Sequence, residues 1–244
     1  MLISIECGFQ VGQLCHRRSE DEKESPVSAM AGSILGLLAF MLAISFGIVT
    51  DRFDARKALV REEANAIRTT YLRADFMEEP DRSTTQQQLR DYLDDRLEFV
   101  QSKNIDQAES LLADASRIHR QLWDIAVIHA RKDMNSDVAA LYVDSLNDVI
   151  NIHSLRVSAG LLQRVPAGIW VVLFSLIFFG MAAIGYQAGI AGSKRSWSQH
   201  ILALSFSMVI LLIVVLDRPQ SRFINVSQQP LIDLRQSMAA DEGK

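Results

Sequence analysis

Residues 28–50 read SAMAGSILGLLAFMLAISFGIVT without a charged side chain, and the chain continues without a proline into DRFDARKALVREEANAIRTTYLRADFM (residues 51–77). An uncharged apolar run of about 20 residues is long enough to cross the hydrocarbon core of a bilayer as a helix, so the chain reads as a membrane protein. Helical spacing persists beyond Thr50: Phe53, Leu59, Val60, Ala64, Ile67 and Tyr71 recur among charged residues at mostly three- to four-residue steps. One helix is expected to leave the membrane here and continue into water as a rigid post.

The apolar half of that helix carries a second pattern. Ala29, Gly32, Gly36, Ala39 and Ala43 fall alternately three and four apart, forming a seam of small side chains that includes a GxxxG pair. Lipid tails solvate leucine as well as a neighbouring helix does, so helices associate in a bilayer where small residues let backbones approach. The seam is therefore expected to be a packing face, against this chain's other spans or a second copy, or else to line a pore. In a symmetric oligomer both can hold.

Of 244 residues 49% are hydrophobic, yet the apolar content is concentrated at 28–50, 167–191 and 201–216 while the middle is charged. A net charge of −4 provides no basic stripe of the kind nucleic acid requires, and that class is set aside. Cys7 and Cys15 form neither a disulfide framework nor a CxxC metal pattern.

The N-terminal piece MLISIECGFQVGQL (residues 1–14) is too short to span and lacks the charged start and cleavage site of a signal peptide. It admits three readings: an interfacial helix, a loose end, or the tail of a spanning helix whose beginning is missing. Residues 16–26 mix charges and read as an exposed loop. After the post, EEPDRS (78–83) is a break at Pro80. A helix over 84–102 follows, with Leu89, Leu93, Leu97 and Val100 on one side and Asp91, Asp94, Asp95 and Glu98 on the other. That acidic stripe reads as a solvated face partly neutralised by Arg90 and Arg96, with a cation site as the sharper alternative; no EF-hand loop is present.

Another helix runs from Asn104 to about Asp133. Asn135, Ser136 and Asp137 make a turn or N-cap, and 139–163 run helically to the next span. His119, His129 and His153 are never four apart, as a two-histidine metal face would need, and are assigned surface or interhelical hydrogen-bonding roles. Pro166 opens the second span, where its missing donor is not needed, and Trp170 and Tyr186 sit near its ends. Gly185 and Gly189 make a further GxxxG, and residues 192–199 turn the chain into a third span. No Asp, Glu, Lys or Arg lies inside the three spans. Ion-coupled transporters keep an ionisable residue at membrane depth, whereas a passive pore can gate by dewetting of an apolar constriction. Past the last span, Phe223, Ile224 and Val226 suggest an extended piece. Ser227 to Pro230 suggest an N-cap with an early helical proline, ahead of an apolar face at Leu231, Leu234 and Met238.

Several segments together carry a resemblance: TDRFDAR (50–56), EEANAI (62–67), NIHSLRV (151–157), RVP (164–166), GYQAG (185–189) and the closing stretch 216–234, with LDRP and VSQQPLIDL. From Ala29 onward the chain resembles the bacterial bestrophin-like family, an integral membrane domain of unknown function, although the first position of TDRFD departs from the small residue common there. The resemblance implies one more N-terminal span, so that residues 1–14 are expected to be the end of a clipped or late-started helix. It also implies kinship with bestrophins, pentameric anion channels with four spans and a large cytoplasmic helical domain; no acidic cluster here maps onto a calcium clasp.

The expected architecture is an all-α membrane protein with three full transmembrane helices, a short N-terminal helix and an inserted soluble helical bundle. Its parts are an N-terminal segment and loop (1–27), a span (28–50), the helical domain (51–165), two spans (166–191 and 199–216) and a docking C-terminal segment (217–244). Arg52, Arg56, Lys57, Arg61, Arg156, Arg164, Arg218 and Arg222 flank the spans on the side of the bundle, against Arg17, Arg18, Lys23, Lys194 and Arg195 on the other. The positive-inside rule then places the bundle in the cytoplasm of a bacterial inner membrane. A homo-oligomeric ion channel or pore is the favoured function, with a non-conducting scaffold or sensor whose helical domain binds a partner as the alternative. An enzyme built on Glu62, Glu63, Asn65 and Arg68 is disfavoured, since interhelical hydrogen bonds explain those residues equally well. Gly32, Gly36, Ala39, Ala43, Gly185 and Gly189 are the packing or pore-lining candidates. Arg52, Asp54, Arg56, Glu62, Asn65, Asp217, Arg218, Gln228 and Gln229, carried by the resemblance, are expected to form a polar junction beside the membrane. The expected partners are the bilayer, further copies of the chain (a pentamer by family analogy) and inorganic ions; no cofactor, metal or nucleic acid is expected.

Overall fold

The computed structural model describes residues 1–18, 24–102, 104–161, 164–191, 197–218 and 224–241. Among them all regular structure is helical: α1 (Leu2–Arg18), α2 (Glu24–Arg73), a single 3-10 turn (Ala74–Phe76), α3 (Asp81–Gln101), α4 (Ile105–Lys132), α5 (Asp137–Leu161), α6 (Ala167–Ile190), α7 (Trp197–Asp217) and α8 (Gln229–Asp241). Helices α2, α6 and α7 are long and apolar enough to cross a membrane. The chain forms two compact units, an apolar one (Met1–Phe53 and Arg164–Asn225) and a charged one (Asp54–Gln163 and Val226–Lys244).

Helix α2 is unbroken over 50 residues. It begins before the uncharged run because Pro26 falls in its first turns, where a missing N–H is harmless. The expected loop over residues 16–26 is thus corrected at both ends: 16–18 belong to α1 and 24–26 to α2, with 19–23 outside the described residues. Helix α3 starts three residues earlier than the spacing predicts, at Asp81. Local capping sets the other starts. Asn104 accepts from Asp106 N at 3.1 Å, Ser136 Oγ accepts from Ala139 N at 3.2 Å, and Ser227 Oγ accepts from Gln229 N at 3.3 Å. Ile224 and Val226 form no regular strand, and Phe223 lies outside the described residues.

Glycine decides the packing of the apolar unit. Helix α1 lies parallel to α6, with Gly8 facing Ala182, Gly12 facing Tyr186 and Gly189, and Gly185 facing Ile5 and Phe9. A Cβ built at Gly189 would stand 2.5 Å from Phe9 O and 2.9 Å from Gln13 N, and at Gly185 it would meet Ile5 O and Phe9 N within van der Waals contact. These are backbone atoms, so only glycine permits the approach. Gly8 and Gly12 are themselves a GxxxG pair that the sequence reading passed over. The seam on α2 behaves differently. Its Ala31, Leu38, Leu42, Ser45 and Val49 are buried in the unit, while Gly32, Gly36, Ala39 and Ala43 are exposed and nothing stands within 4 Å of a Cβ at either glycine. Among the described residues, therefore, no neighbour covers the two glycines of the seam.

The charged unit closes over a core that includes Val60, Ala64 and Ile67 of α2, Leu89 and Leu93 of α3, Leu122 of α4, Leu146 and Val149 of α5, and Leu231 of α8. Leu231, Leu234 and Met238 are buried, so α8 docks through the apolar face its spacing implies.

Gly185→Leu is expected to destabilise the detergent-solubilised protein by at least the 1–3 kcal/mol typical of overpacking, read as a lowered melting temperature. Gly47→Leu, with open space around it, is expected to leave melting unchanged.

Candidate functional site

The apolar face of α2 in the charged unit carries one acid, Glu63, which is fully buried. An isolated carboxylate there would cost several kcal/mol, so its partners define the site. Helix α3 contributes Tyr92 and Arg96, one turn apart. The Arg96 Nε donates to Glu63 Oε1 at 2.9 Å and the Tyr92 hydroxyl donates to the same oxygen at 2.8 Å. Helix α5 contributes Arg156, whose Nη1 donates to Glu63 Oε2 in a short ion pair. Its Nη2 donates to Gln228 Oε1 at 3.0 Å, and Gln228 in turn donates to Val226 O at 2.9 Å, fixing the chain just before α8. One carboxylate thereby ties α2, α3, α5 and the approach to α8.

Two histidines complete the cluster. His153 Nδ1 lies 3.1 Å from the Tyr92 hydroxyl. Since that hydroxyl gives its single proton to Glu63, the histidine must be the donor, which places its proton on Nδ1. The His119 ring packs 4.8 Å from Tyr92 and edge-on to His153 at 4.9 Å, and its Nε2 has no hydrogen-bond partner among the described residues. Burial, with Arg96 nearby, holds His119 down at about 4 and His153 at about 3, the latter also lowered by His119. Both rings are neutral near pH 7. Burial raises the Tyr92 phenol, which stays a donor, and brings Arg156 down to about 10, still charged.

The Glu63 carboxylate and the Tyr92 hydroxyl are sealed from water, while Arg156 and Gln228 are half-buried. The chemistry of the cluster is cohesion: charge-assisted hydrogen bonds of fixed geometry between segments far apart in sequence. Among the described residues no group of three His, Cys, Asp or Glu side chains is placed to hold a metal ion.

The remaining residues singled out from the sequence fall elsewhere. In the apolar unit Arg52 Nη1 stands 3.8 Å from Asp217 Oδ1, which also accepts from Val165 N at 2.9 Å. Arg218 is exposed there. In the charged unit Asp54, Glu62 and Asn65 are exposed and Arg56 is half-buried. Gln229 donates to Asp233 at 2.7 Å. The structure therefore brings together Arg52 with Asp217, and Gln228 with the Glu63 cluster. The acidic stripe of α3 is satisfied otherwise than its spacing suggests. Asp94 pairs with Arg235 at 2.7 Å, Asp91 accepts from Gln87 and Glu98 accepts from Gln107, each at 2.8 Å. Arg96 points inward to Glu63 and neutralises none of them. Burial, with Asp114 and Asp91 beside it, raises the Asp95 carboxyl.

Tyr92, Arg96 and Arg156 as partners of Glu63, with His119 and His153 packed on Tyr92, escaped the sequence reading. A signal was present: Glu63 interrupts Val60, Ala64 and Ile67, Arg96 sits between Leu93 and Leu97, and His119 beside Ile118 and Leu122. Ionisable residues on the apolar stripe of a helix are buried only when paired.

Removing one member of a buried ion pair costs about 3–5 kcal/mol. Glu63→Ala is expected to destabilise by that amount and Gln228→Ala by about 1 kcal/mol, read by thermal melting. The histidines add a pH dependence. Their folded values lie below the ordinary histidine range near 6.5, so between there and about pH 4 the unfolded chain binds more protons. Stability is expected to fall as pH drops through that window, and less steeply in His119→Phe.

The sequence model of the bestrophin-like domain matches residues 3–231, taking in α1, all three candidate spans and every member of the Glu63 cluster. No curated protein and no solved structure matches the chain. A match over this length of the chain shows its kinship: this chain belongs to the bestrophin-like family.

Proposed function

We infer that the protein is a homo-oligomeric ion channel or pore of the bacterial inner membrane, passing anions, with the charged helical unit in the cytoplasm. The observation that supports this reading is the exposed small-residue face of α2. Gly185 and Gly189 are consumed by α1 inside the chain, but among the described residues nothing stands within 4 Å of a Cβ at Gly32 or Gly36, and Ala39 and Ala43 are exposed. In a bilayer such a face associates with another helix through close approach. A second copy presents the same face or a neighbouring one, and a ring of copies surrounds an axis. Five copies follow from family analogy. Spans without ionisable residues suit passive conduction better than coupled transport. Asp54, Arg56, Glu62 and Asn65 belong to the charged unit, and no catalytic role is assigned to them.

The second reading, a non-conducting scaffold or sensor, draws on the charged unit's exposed apolar side chains, including Phe76 at 63%, Met134 at 82% and Leu155 at 55%. Such side chains suit a protein partner.

Reconstitution into liposomes tests the channel reading. Anion efflux and an oligomeric mass in detergent are expected, and Gly32→Leu with Gly36→Leu is expected to shift that mass toward the monomer and abolish efflux while melting stays unchanged. A monomeric parent protein with no flux across anions and voltages overturns it; a stoichiometric captured partner in that case favours the scaffold.

A further inference from the structure

Where the three candidate spans end, the apolar unit gathers more positive charge than it neutralises. Asp217 closes α7, and its Oδ1 takes the Val165 N–H at 2.9 Å, which ties the end of α7 to the entry of α6. The same oxygen is 3.8 Å from Arg52 Nη1, beyond hydrogen-bond length, and that buried nitrogen has no hydrogen-bond partner among the described residues. The nearby Thr50 Oγ1 is likewise buried without one. Arg164 and Arg218 adjoin the two residues joined by the Val165–Asp217 bond; both are exposed, and neither makes an ion pair among the described residues. Three arginines, Arg52, Arg164 and Arg218, and two acids, Asp51 and Asp217, are thus carried by the chain where the uncharged run of α2, the first turn of α6 and the last turn of α7 meet, an excess of one positive charge.

We propose that Arg52, Arg164 and Arg218 form a binding site for the phosphate of an anionic membrane phospholipid. Guanidinium is planar and weakly hydrated, and it binds phosphate oxygens through paired N–H donors. The start of α6 adds to the attraction. Ala167 and Gly168 are exposed, their N–H groups lie in the first turn of a 24-residue helix, and among the described residues a Cβ at Gly168 would meet nothing within 4 Å. Trp170 and Phe174, stacked at 5.9 Å one and two turns further along α6, provide apolar surface for an acyl chain. A membrane lipid is the source favoured here because the arginines follow directly on spanning segments, where basic residues meet the anionic leaflet surface. The site is independent of whether the protein conducts.

Thermal melting of the full-length protein in neutral detergent, with added phosphatidylglycerol, phosphatidylcholine or inorganic phosphate, tests the proposal. Phosphatidylglycerol is expected to raise the melting temperature by several degrees, the other two to leave it unchanged, and R164Q/R218Q to weaken the apparent lipid affinity roughly tenfold. Equal shifts with both lipids, an unaltered response in the double variant, or the full shift with inorganic phosphate alone each overturn it. If the double variant fails to fold, R218Q decides: a diminished phosphatidylglycerol shift supports the site and an undiminished one overturns it.

Discussion

A single carboxylate without access to water sets the terms for the charged unit. Glu63 accepts from Tyr92, Arg96 and Arg156, and through Arg156 it reaches Gln228. Two ions taken from water lose several kcal/mol each, and mutual attraction recovers that only when geometry is good and the remaining donors are satisfied. The cluster is therefore a poor source of net stability compared with an apolar core of equal volume. It is a strong source of uniqueness. A hydrophobic bundle can slide by a turn at modest cost, whereas a turn of slippage here would leave Glu63 and two guanidiniums buried and unpaired.

That distinction explains how much of the protein was legible in its sequence. Helices α2 to α8 follow from spacing, caps and proline, because local periodicity carries the apolar faces that must be buried. Helix α1 was harder: Glu6, Gln10 and Gln13 break its hydropathy, and the feature that seats it, Gly8 with Gly12, is a statement about backbone approach that no hydropathy window registers. The Glu63 cluster was harder still. Its members come from α2, α3, α4 and α5, with Glu63 and Arg156 93 positions apart, and no local pattern specifies which buried acid meets which buried base. What the sequence did hold was an anomaly, ionisable side chains standing in apolar stripes.

The two GxxxG seams show the same limit from the other side. By composition Gly32 with Gly36 and Gly185 with Gly189 are equivalent, yet one pair is left open and the other lies against a helix backbone. Small residues state that an approach is possible. Which helix makes it depends on the partners available, and α1 reaches α6 with matching glycines of its own. The open pair is then packing capacity that the described residues leave unused.

The segments that carried the family resemblance converge on two carboxylates, one in each unit. EEANAI supplies Glu63, NIHSLRV supplies His153 and Arg156, and the closing stretch supplies Gln228; RVP supplies Val165 N–H, and the LDRP run supplies Asp217. Their surroundings differ in a way that assigns them different work. Glu63 is fully buried and satisfied by donors of fixed geometry, so it can only hold segments together. Asp217 is partly exposed, its side chain 12% accessible, and the nearest guanidinium stands too far away to bond. A junction that leaves an arginine donor unsatisfied among the described residues, at the end of apolar helices, has capacity for an external acceptor, and at a membrane surface phospholipid phosphate is such an acceptor. The buried acid closes its unit on itself, while the half-buried one leaves an arginine nitrogen beside it without a hydrogen-bond partner among the described residues.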